Sequence, residues 1–297
     1  MTNTILAPLR GVTARCFRET FAAEIAAAGF DEAFTPFVAA MPGVDPLRDG
    51  ELRGGTVLPG TGVRVTPQFI GKDPAALRRC LEAARSVGFD TVDLNCGCPF
   101  PMIRRKGRGS GILKTPDVMR RMLEVGCEVM GPGRFSVKTR LGMERADELL
   151  ALMPLINAFP LRFLTVHGRV ALQMYEGECN AEAVRRVVAA AEVPVVLNGD
   201  IPFPPRAEDV RGASADGVVG VMIGRSFIRY LGARDDACEL LRRYVEASRA
   251  ELSGDRPVLG RMKELVAYWK ELPRWRRVWP LLKVSSSIAE FLSVIAG

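Results

Sequence analysis

The run Asn95-Cys96-Gly97-Cys98-Pro99 brings a carboxamide, two thiols and a turn-forming glycine and proline together, directly after the apolar stretch 91–95. An unperturbed thiol titrates near ~8.5, so both cysteines would be mostly protonated at neutral pH. The one-residue gap between the cysteines suits neither a zinc knuckle nor a redox pair, and Cys96 reads as a small buried side chain. Lys138 interrupts the apolar Val137-Lys138-Thr139; such a lysine either snorkels from an edge or aims its charge at an anion. His167 is the only histidine in the chain, which excludes a His-rich metal site. Taken alone it suits a hydrogen-bonded core residue, and Gln68, Asp93 and Asn95 suit satisfied buried polar groups. In Asn198-Gly199-Asp200 and Ile223-Gly224-Arg225, glycine would let backbone N–H groups approach a phosphate, with Arg225 supplying a charged fork. Two ordinary glycine turns explain those segments equally well.

Positioning these residues requires a scaffold, and the apolar pattern supplies one. Eight short runs rich in β-branched or aromatic residues occur at 5–8, 33–38, 63–70, 91–95, 135–140, 163–167, 193–198 and 217–223. Amphipathic helical patterns fill most of the intervals; Leu77, Leu81 and Ala84 share one face. Asp73-Pro74 and Thr115-Pro116 offer an oxygen-bearing cap followed by proline at the first helical position, and Gly88 ends the first of these helices. The alternation predicts an α/β fold, a (β/α)8 TIM barrel over residues 1–234, with nearly continuous apolar strands buried on both faces. Thr35-Pro36 interrupts the second strand, which should bend or start late. Residues 41–62, rich in glycine and proline, read as a long surface excursion. Beyond about residue 235 the strand signal ends. Helical patterns at 238–252, 258–270 and 285–295, punctuated by Pro273 and Pro280, predict a small C-terminal helical domain over 235–297.

In such a barrel function sits at the carboxyl ends of the strands. Gln68 lies near the end of the third run, Asn95 to Pro99 close the fourth, and Lys138 lies in the fifth. His167-Gly168-Arg169 close the sixth, Asn198-Gly199-Asp200 the seventh and Gly224-Arg225 the eighth, so six of eight runs end on groups that could converge on one site.

Composition bounds the setting. With 48% hydrophobic and 25% charged residues in 297, the chain can fill a sizeable core. No apolar run approaches the roughly 20 residues of a membrane span, and the N-terminus lacks the basic start of a leader, so a cytoplasmic monomer is expected. Seven scattered cysteines read as reduced thiols and no metal is expected. The net charge of +7 favours a polyanionic partner. Between residues 99 and 121 stand Arg104, Arg105, Lys106, Arg108, Lys114, Arg120 and Arg121 against Asp117 alone.

Val92-Asp93-Leu94-Asn95-Cys96-Gly97-Cys98-Pro99 resembles the core motif of the tRNA-dihydrouridine synthases, most closely the bacterial C-type subgroup with Asn-Cys-Gly-Cys-Pro. In family order stand Leu6-Ala7-Pro8, Gln68-Phe69-Ile70-Gly71, Ser136-Val137-Lys138-Thr139-Arg140-Leu141-Gly142, Val166-His167-Gly168-Arg169, Asn198-Gly199-Asp200-Ile201 and Met222-Ile223-Gly224-Arg225. The resemblance implies an FMN barrel in which Pro8, Gln68, Asn95, Lys138 and His167 surround the isoalloxazine, with Lys138 near its pyrimidine edge. Asn198, Gly199, Asp200, Gly224 and Arg225 would hold the ribityl chain and phosphate. NADPH or NADH would reduce the flavin, the uracil double bond of a tRNA uridine would receive the hydride, and Cys98 would supply the proton. Arg104, Arg105, Lys106 and Arg108 on the barrel rim would meet phosphates. Arg274, Arg276 and Arg277 in the tail, beside Trp275 and Trp279, would add a second RNA surface, with packing an equal role for the tryptophans.

The chain departs from the family at three places: Thr35-Pro36 stands for Thr-Glu, Phe100-Pro101-Met102 follow the cysteine motif, and Ala171 replaces a second arginine in Arg169-Val170-Ala171-Leu172-Gln173-Met174-Tyr175. Other functions compatible with these residues are a flavin barrel reducing a free pyrimidine or enone, dihydrouridine synthesis in ribosomal RNA, and an RNA-binding barrel without turnover.

Overall fold

In the computed structural model, which describes residues 3–205 and 217–296, ten short parallel strands form one curled sheet. They are β1 (Asn3–Leu6), β2 (Glu32–Phe34), β3 (Val38–Ala40), β4 (Arg64–Thr66), β5 (Gln68–Gly71), β6 (Val92–Cys96), β7 (Phe135–Gly142), β8 (Leu164–Val170), β9 (Val195–Asn198) and β10 (Val218–Ile223). The order runs β3-β5-β6-β7-β8-β9-β10-β1-β2-β4. β2 and β3 are two halves of one strand broken at Thr35-Pro36-Phe37, and β4 and β5 are halves of another broken at Pro67. Since β2 pairs with β4 and β3 with β5, the ring closes as an eight-stranded barrel.

The break at Pro36 is the expected one. That at Pro67 lies inside the run 63–70, whose apolar content hid it; a proline cannot donate to the ladder there either. A side chain spans the gap: the Thr35 N–H donates to Thr66 O at 3.0 Å, and Thr35 Oγ1 accepts from the Gln68 N–H at 3.1 Å.

Local chemistry sets the helices. Asp73 accepts from Ala76 N at 2.9 Å and caps the helix Pro74–Ser86, whose Leu77, Leu81 and Ala84 are buried. Thr115 is not a side-chain cap, contrary to expectation: its hydroxyl donates backward to Ile112 O at 3.1 Å, and Pro116 alone marks the start of Pro116–Met130. The stretch 41–62 is more than a surface excursion. Two single 3-10 turns, Pro46–Arg48 and Gly50–Leu52, bury Leu52, and buried Arg18 donates to Glu51 at 2.7 Å. Three-residue turns are too short to show a period.

The C-terminal region is four helices, Ala237–Glu251, Asp255–Val266, Pro273–Val284 and Ile288–Ala296. The third corrects the expectation that Pro273 and Pro280 are breaks. Pro273 stands in the first turn, where a missing N–H costs nothing, and Pro280 is tolerated inside the helix on an exposed face. Lys263 donates to Lys283 O and Ser285 O and satisfies that helix's end at 2.9 and 2.6 Å. Two indoles fasten the tail to the last barrel helix, Arg225–Ala233. Trp269 Nε1 donates to Ile228 O and Trp275 Nε1 to Gly232 O, each at 2.6 Å. A Cβ on Gly232 would lie 2.3 Å from Trp269, so only glycine admits that ring. Burial of each indole contributes roughly 4–6 kcal/mol before entropy. Among the described residues, no helix is long and apolar enough to cross a membrane.

Candidate active site

The carboxyl ends of the strands surround one cavity of about 420 Å³, within the usual size for a bound cofactor. Pro8, Gln68, Asn95, Cys98, Lys138, His167, Asn198, Gly199, Asp200, Gly224 and Arg225 all line it. Register brings them there: Asn95 pairs with Lys138, His167 with Asn198, and Asn198 with Met222. Alternation also points Cys96 away, into the core between strands and helices, where burial drives its thiol far above the ordinary range.

Cys98 sits on a turn pinned from both sides. Asn95 Oδ1 accepts from the Gly97 and Cys98 N–H groups at 3.1 and 2.8 Å, and the Ser110 hydroxyl donates to Cys98 O at 2.9 Å. Burial raises the Cys98 thiol, outweighing the Phe100 N–H and the neighbouring Arg10, Arg140 and Lys138. It is therefore protonated at neutral pH, the state an acid requires.

Lys138 donates to Asn198 Oδ1 at 2.9 Å. Burial, reinforced by repulsion from Arg140, lowers its ammonium to about 8. Burial and the same ring of cations push His167 well below 6.5, so the imidazole is neutral. Arg169 stands 3.3 Å from His167 Nε2; an arginine can only donate, which places the ring proton on Nδ1. Asp200 accepts from Arg169 at 2.7 Å, from the Cys179 N–H at 3.0 Å and from Arg225 at 3.3 Å. Burial raises its carboxyl, but these donors prevail and hold it below the ordinary value.

The far wall is a cradle. Gly199 has φ +103°, and a Cβ there would meet Cys179 Sγ at 2.5 Å and the His167 ring at 2.6 Å. Gly224 precedes the helix Arg225–Ala233, whose first residues, Arg225 and Ser226, line the cavity. Free N–H groups of a helix start and an arginine fork suit a phosphate. Five cations, Arg10, Lys138, Arg140, Arg225 and Arg229, face one carboxylate, Asp200. The donor set of Lys138, His167 and Asn95 therefore fits a ring bearing carbonyl and ring-nitrogen acceptors, and the cradle fits a phosphate.

Residues not singled out from sequence also line this wall. Arg140 stands two positions after Lys138, a spacing that puts both on one face of β7. Arg229 follows Arg225 by one helical turn. Tyr175 lies between Arg140 and Arg225, whose guanidinium carbons are 5.3 and 5.2 Å from its ring. Arg10 and Phe37 form a further pair at 5.5 Å and had no sequence signal.

The basic groups at 104–108 and 274–277 do not line the cavity. Pro101–Arg104 is a single helical turn beside it; Arg105 and Lys106 are exposed, while Arg104 and Arg108 are half-buried, Arg108 against Met41. In the tail Arg274, Arg276 and Arg277 are exposed. Trp275 is buried, so its role is packing and not stacking on RNA. Among the described residues, no group of three or more His, Cys, Asp or Glu could hold a metal ion.

Fold and site together define a (β/α)8-barrel with a positively charged, phosphate-ready mouth and a protonated thiol. The family model "Dihydrouridine synthase (Dus)" matches residues 5–230. The chain is 30% identical over 225 residues to tRNA-dihydrouridine synthase B of Vibrio cholerae serotype O1, covering 75% of this chain and 67% of that one. It is 30% identical over 226 residues to tRNA-dihydrouridine synthase B of Escherichia coli K12, with the same coverage. It is 28% identical over 233 residues to tRNA-dihydrouridine(16) synthase of Cupriavidus necator, covering 77% and 71%. Morphinone reductase shares the fold, with TM-score 0.52 and 12% identity over 76% of this chain and 83% of that one. The chain belongs to the dihydrouridine synthase family. The matches span about two thirds of the length of the synthase B relatives.

Proposed function

We propose that this protein reduces uridine to 5,6-dihydrouridine in tRNA, with FMN in the barrel cavity and NADPH or NADH as reductant. The observation that carries this is the meeting of Cys98, half-buried Lys138 and the Gly199–Gly224 cradle around one cavity. FMN held there would, once reduced, be the source of the hydride for one carbon of the uracil double bond. The remaining work falls to side chains of this chain. Cys98 holds the proton for the second carbon; its thiol stays protonated because burial disfavours the thiolate. Lys138 would hold positive charge in the cavity, where it would stabilise negative charge gained by the ring on reduction. His167 offers a donor from Nδ1, and Asn198, Gly199, Asp200, Gly224 and Arg225 hold the ribityl and phosphate end. The base must leave the RNA fold to enter.

Arg104, Arg105, Lys106 and Arg108 on the rim, with the tail's Arg274, Arg276 and Arg277, supply the phosphate contacts that bring the RNA to the mouth. In Arg105→Glu/Lys106→Glu the KM for tRNA should rise about ten-fold or more, and each lost contact should flatten the log–log salt dependence by about one. NADPH-driven flavin reduction should stay at the parental rate. An unchanged salt slope would remove the rim from the RNA surface.

The test of function is the dihydrouridine content of tRNA from a bacterial host lacking its own synthases, with and without this gene. Dihydrouridine returning at one position is the expected result. None returning, despite flavin-loaded protein, would move the substrate to ribosomal RNA or a small pyrimidine or enone.

A further inference from the structure

Below the cavity the barrel interior is divided. Ile5, Ala7, Phe34, Phe163, Val196 and Met222 form an apolar half. Opposite them Gln68, Asp93 and Ser136 meet with no solvent exposure. A carboxyl at the centre of a barrel is costly, and no step described above uses it.

Its bonds run in one direction. Ser136 Oγ donates to Asp93 Oδ1 at 2.7 Å, and Gln68 Nε2 donates to Asp93 Oδ2 at 2.8 Å. Asn95 Nδ2 donates to Gln68 Oε1 at 2.7 Å, and Asn95 Oδ1 accepts from the N–H groups of Gly97 and Cys98. A carboxamide can be turned end for end at almost no steric cost, so only its partners decide which end is which. Here the two fixed ends agree: Asp93 accepts below, and the backbone N–H groups of Gly97 and Cys98 donate above. Asp93 accepts at Oδ2, which points the Gln68 amide nitrogen downward and its oxygen toward Asn95. That in turn fixes the Asn95 oxygen toward the backbone of the Cys98 turn. Reversed, Asn95 would set N–H against N–H at that turn.

The arrangement does not depend on charge. Burial raises Asp93 to about 7, so both protonation states are accessible near neutrality. As a carboxylate it accepts from Ser136. As an acid it can give its proton to Ser136 Oγ, whose own hydrogen turns to Val92 O at 3.3 Å. In both states Oδ2 remains an acceptor for Gln68.

We infer that Asp93 is a positioning residue: through Gln68 and Asn95 it fixes which hydrogen-bonding groups the cavity presents to the ring bound there, and it holds the Cys98 turn. The ring's identity as FMN rests on the function proposed above. Both amides line the cavity, and this orientation leaves Asn95 a spare N–H and Gln68 one spare N–H and one lone pair.

The test compares Asp93→Asn with Asp93→Leu, reading FMN affinity by fluorescence quenching, the visible spectrum of bound flavin, and kcat against KM for tRNA. The asparagine oxygen can accept from Gln68 while its amide donates to Ser136, so Asp93→Asn should keep FMN affinity and kcat within about three-fold. The leucine removes the acceptor; FMN affinity should fall about ten-fold or more and kcat further, with an altered flavin spectrum and KM for tRNA little changed. Should Asp93→Leu fail to fold, Asp93→Asn/Ser136→Ala takes its place. There Ser136 no longer accepts from the new amide, Gln68 alone orients it, and FMN affinity should drop about five-fold below Asp93→Asn. Asp93→Asn falling as far as Asp93→Leu, or Asp93→Leu binding FMN like the parent, would overturn the inference while leaving the function intact. If the parent itself binds no FMN, the function proposed above fails, and the assignment of Asp93 to a flavin site fails with it.

Discussion

Replacing Cys98 by alanine is expected to leave a yellow, FMN-loaded protein that NADPH still bleaches at the parental rate. Its transfer to tRNA uridine should fall about a hundred- to ten-thousand-fold, the usual share of a positioned acid. The two halves of the reaction separate because the Cys98 side chain holds none of the other residues of the site: its turn is kept by Asn95 and Ser110, and Lys138 donates to Asn198. The change also removes little volume at a nearly buried position, so folding should survive. Single-turnover mixing of the prereduced variant with tRNA measures the step. A parental rate there would remove Cys98 as the proton source, and Cys96 could not replace it because its side chain faces the outer core.

The second large effect is expected at Lys138. Lys138→Met keeps the length of the side chain and removes the one ammonium lining the cavity among the described residues. Flavin reduction by NADPH should slow about a hundred- to a thousand-fold, comparable to loss of one preorganised donor. A pH signature accompanies it. Burial and Arg140 disfavour the ammonium, so in the ligand-free protein Lys138 is charged below about 8 and neutral above. FMN affinity should therefore be high on the acid side, decline as pH rises through about 8, and show no such step in Lys138→Met. Titrating apoprotein with FMN between roughly pH 6.5 and 9.5 reads this directly. A step that persists in the variant would assign it to another group.

Much of this site is legible in the sequence because barrel geometry converts chain order into convergence. A polar residue closing an apolar strand must lie at one end of the barrel, and Gln68, Asn95, Lys138, His167 and Asn198 do. The parts that were not legible depend on partners distant in the chain. Asp93 looked like any satisfied buried polar group until its bonds to Gln68 and Ser136, 25 and 43 residues away, gave it a direction. Trp275 sits among arginines in sequence, yet its indole is committed to Gly232, 43 residues earlier. Pro67 broke a strand whose apolar content argued for continuity. Arg140 is the instructive omission, since alternation along β7 already placed it beside Lys138.

The helix Arg225–Ala233 serves two masters. Its first turn belongs to the phosphate cradle, and Ile228 and Gly232 further along receive the two indoles that seat the tail. A ligand that settles the first turn steadies the seat as well, and the linkage runs equally in reverse. A phosphate bound at that turn should therefore stabilise the tail's seat further, and slower exchange of the Trp269 and Trp275 indole N–H groups on adding FMN would report it.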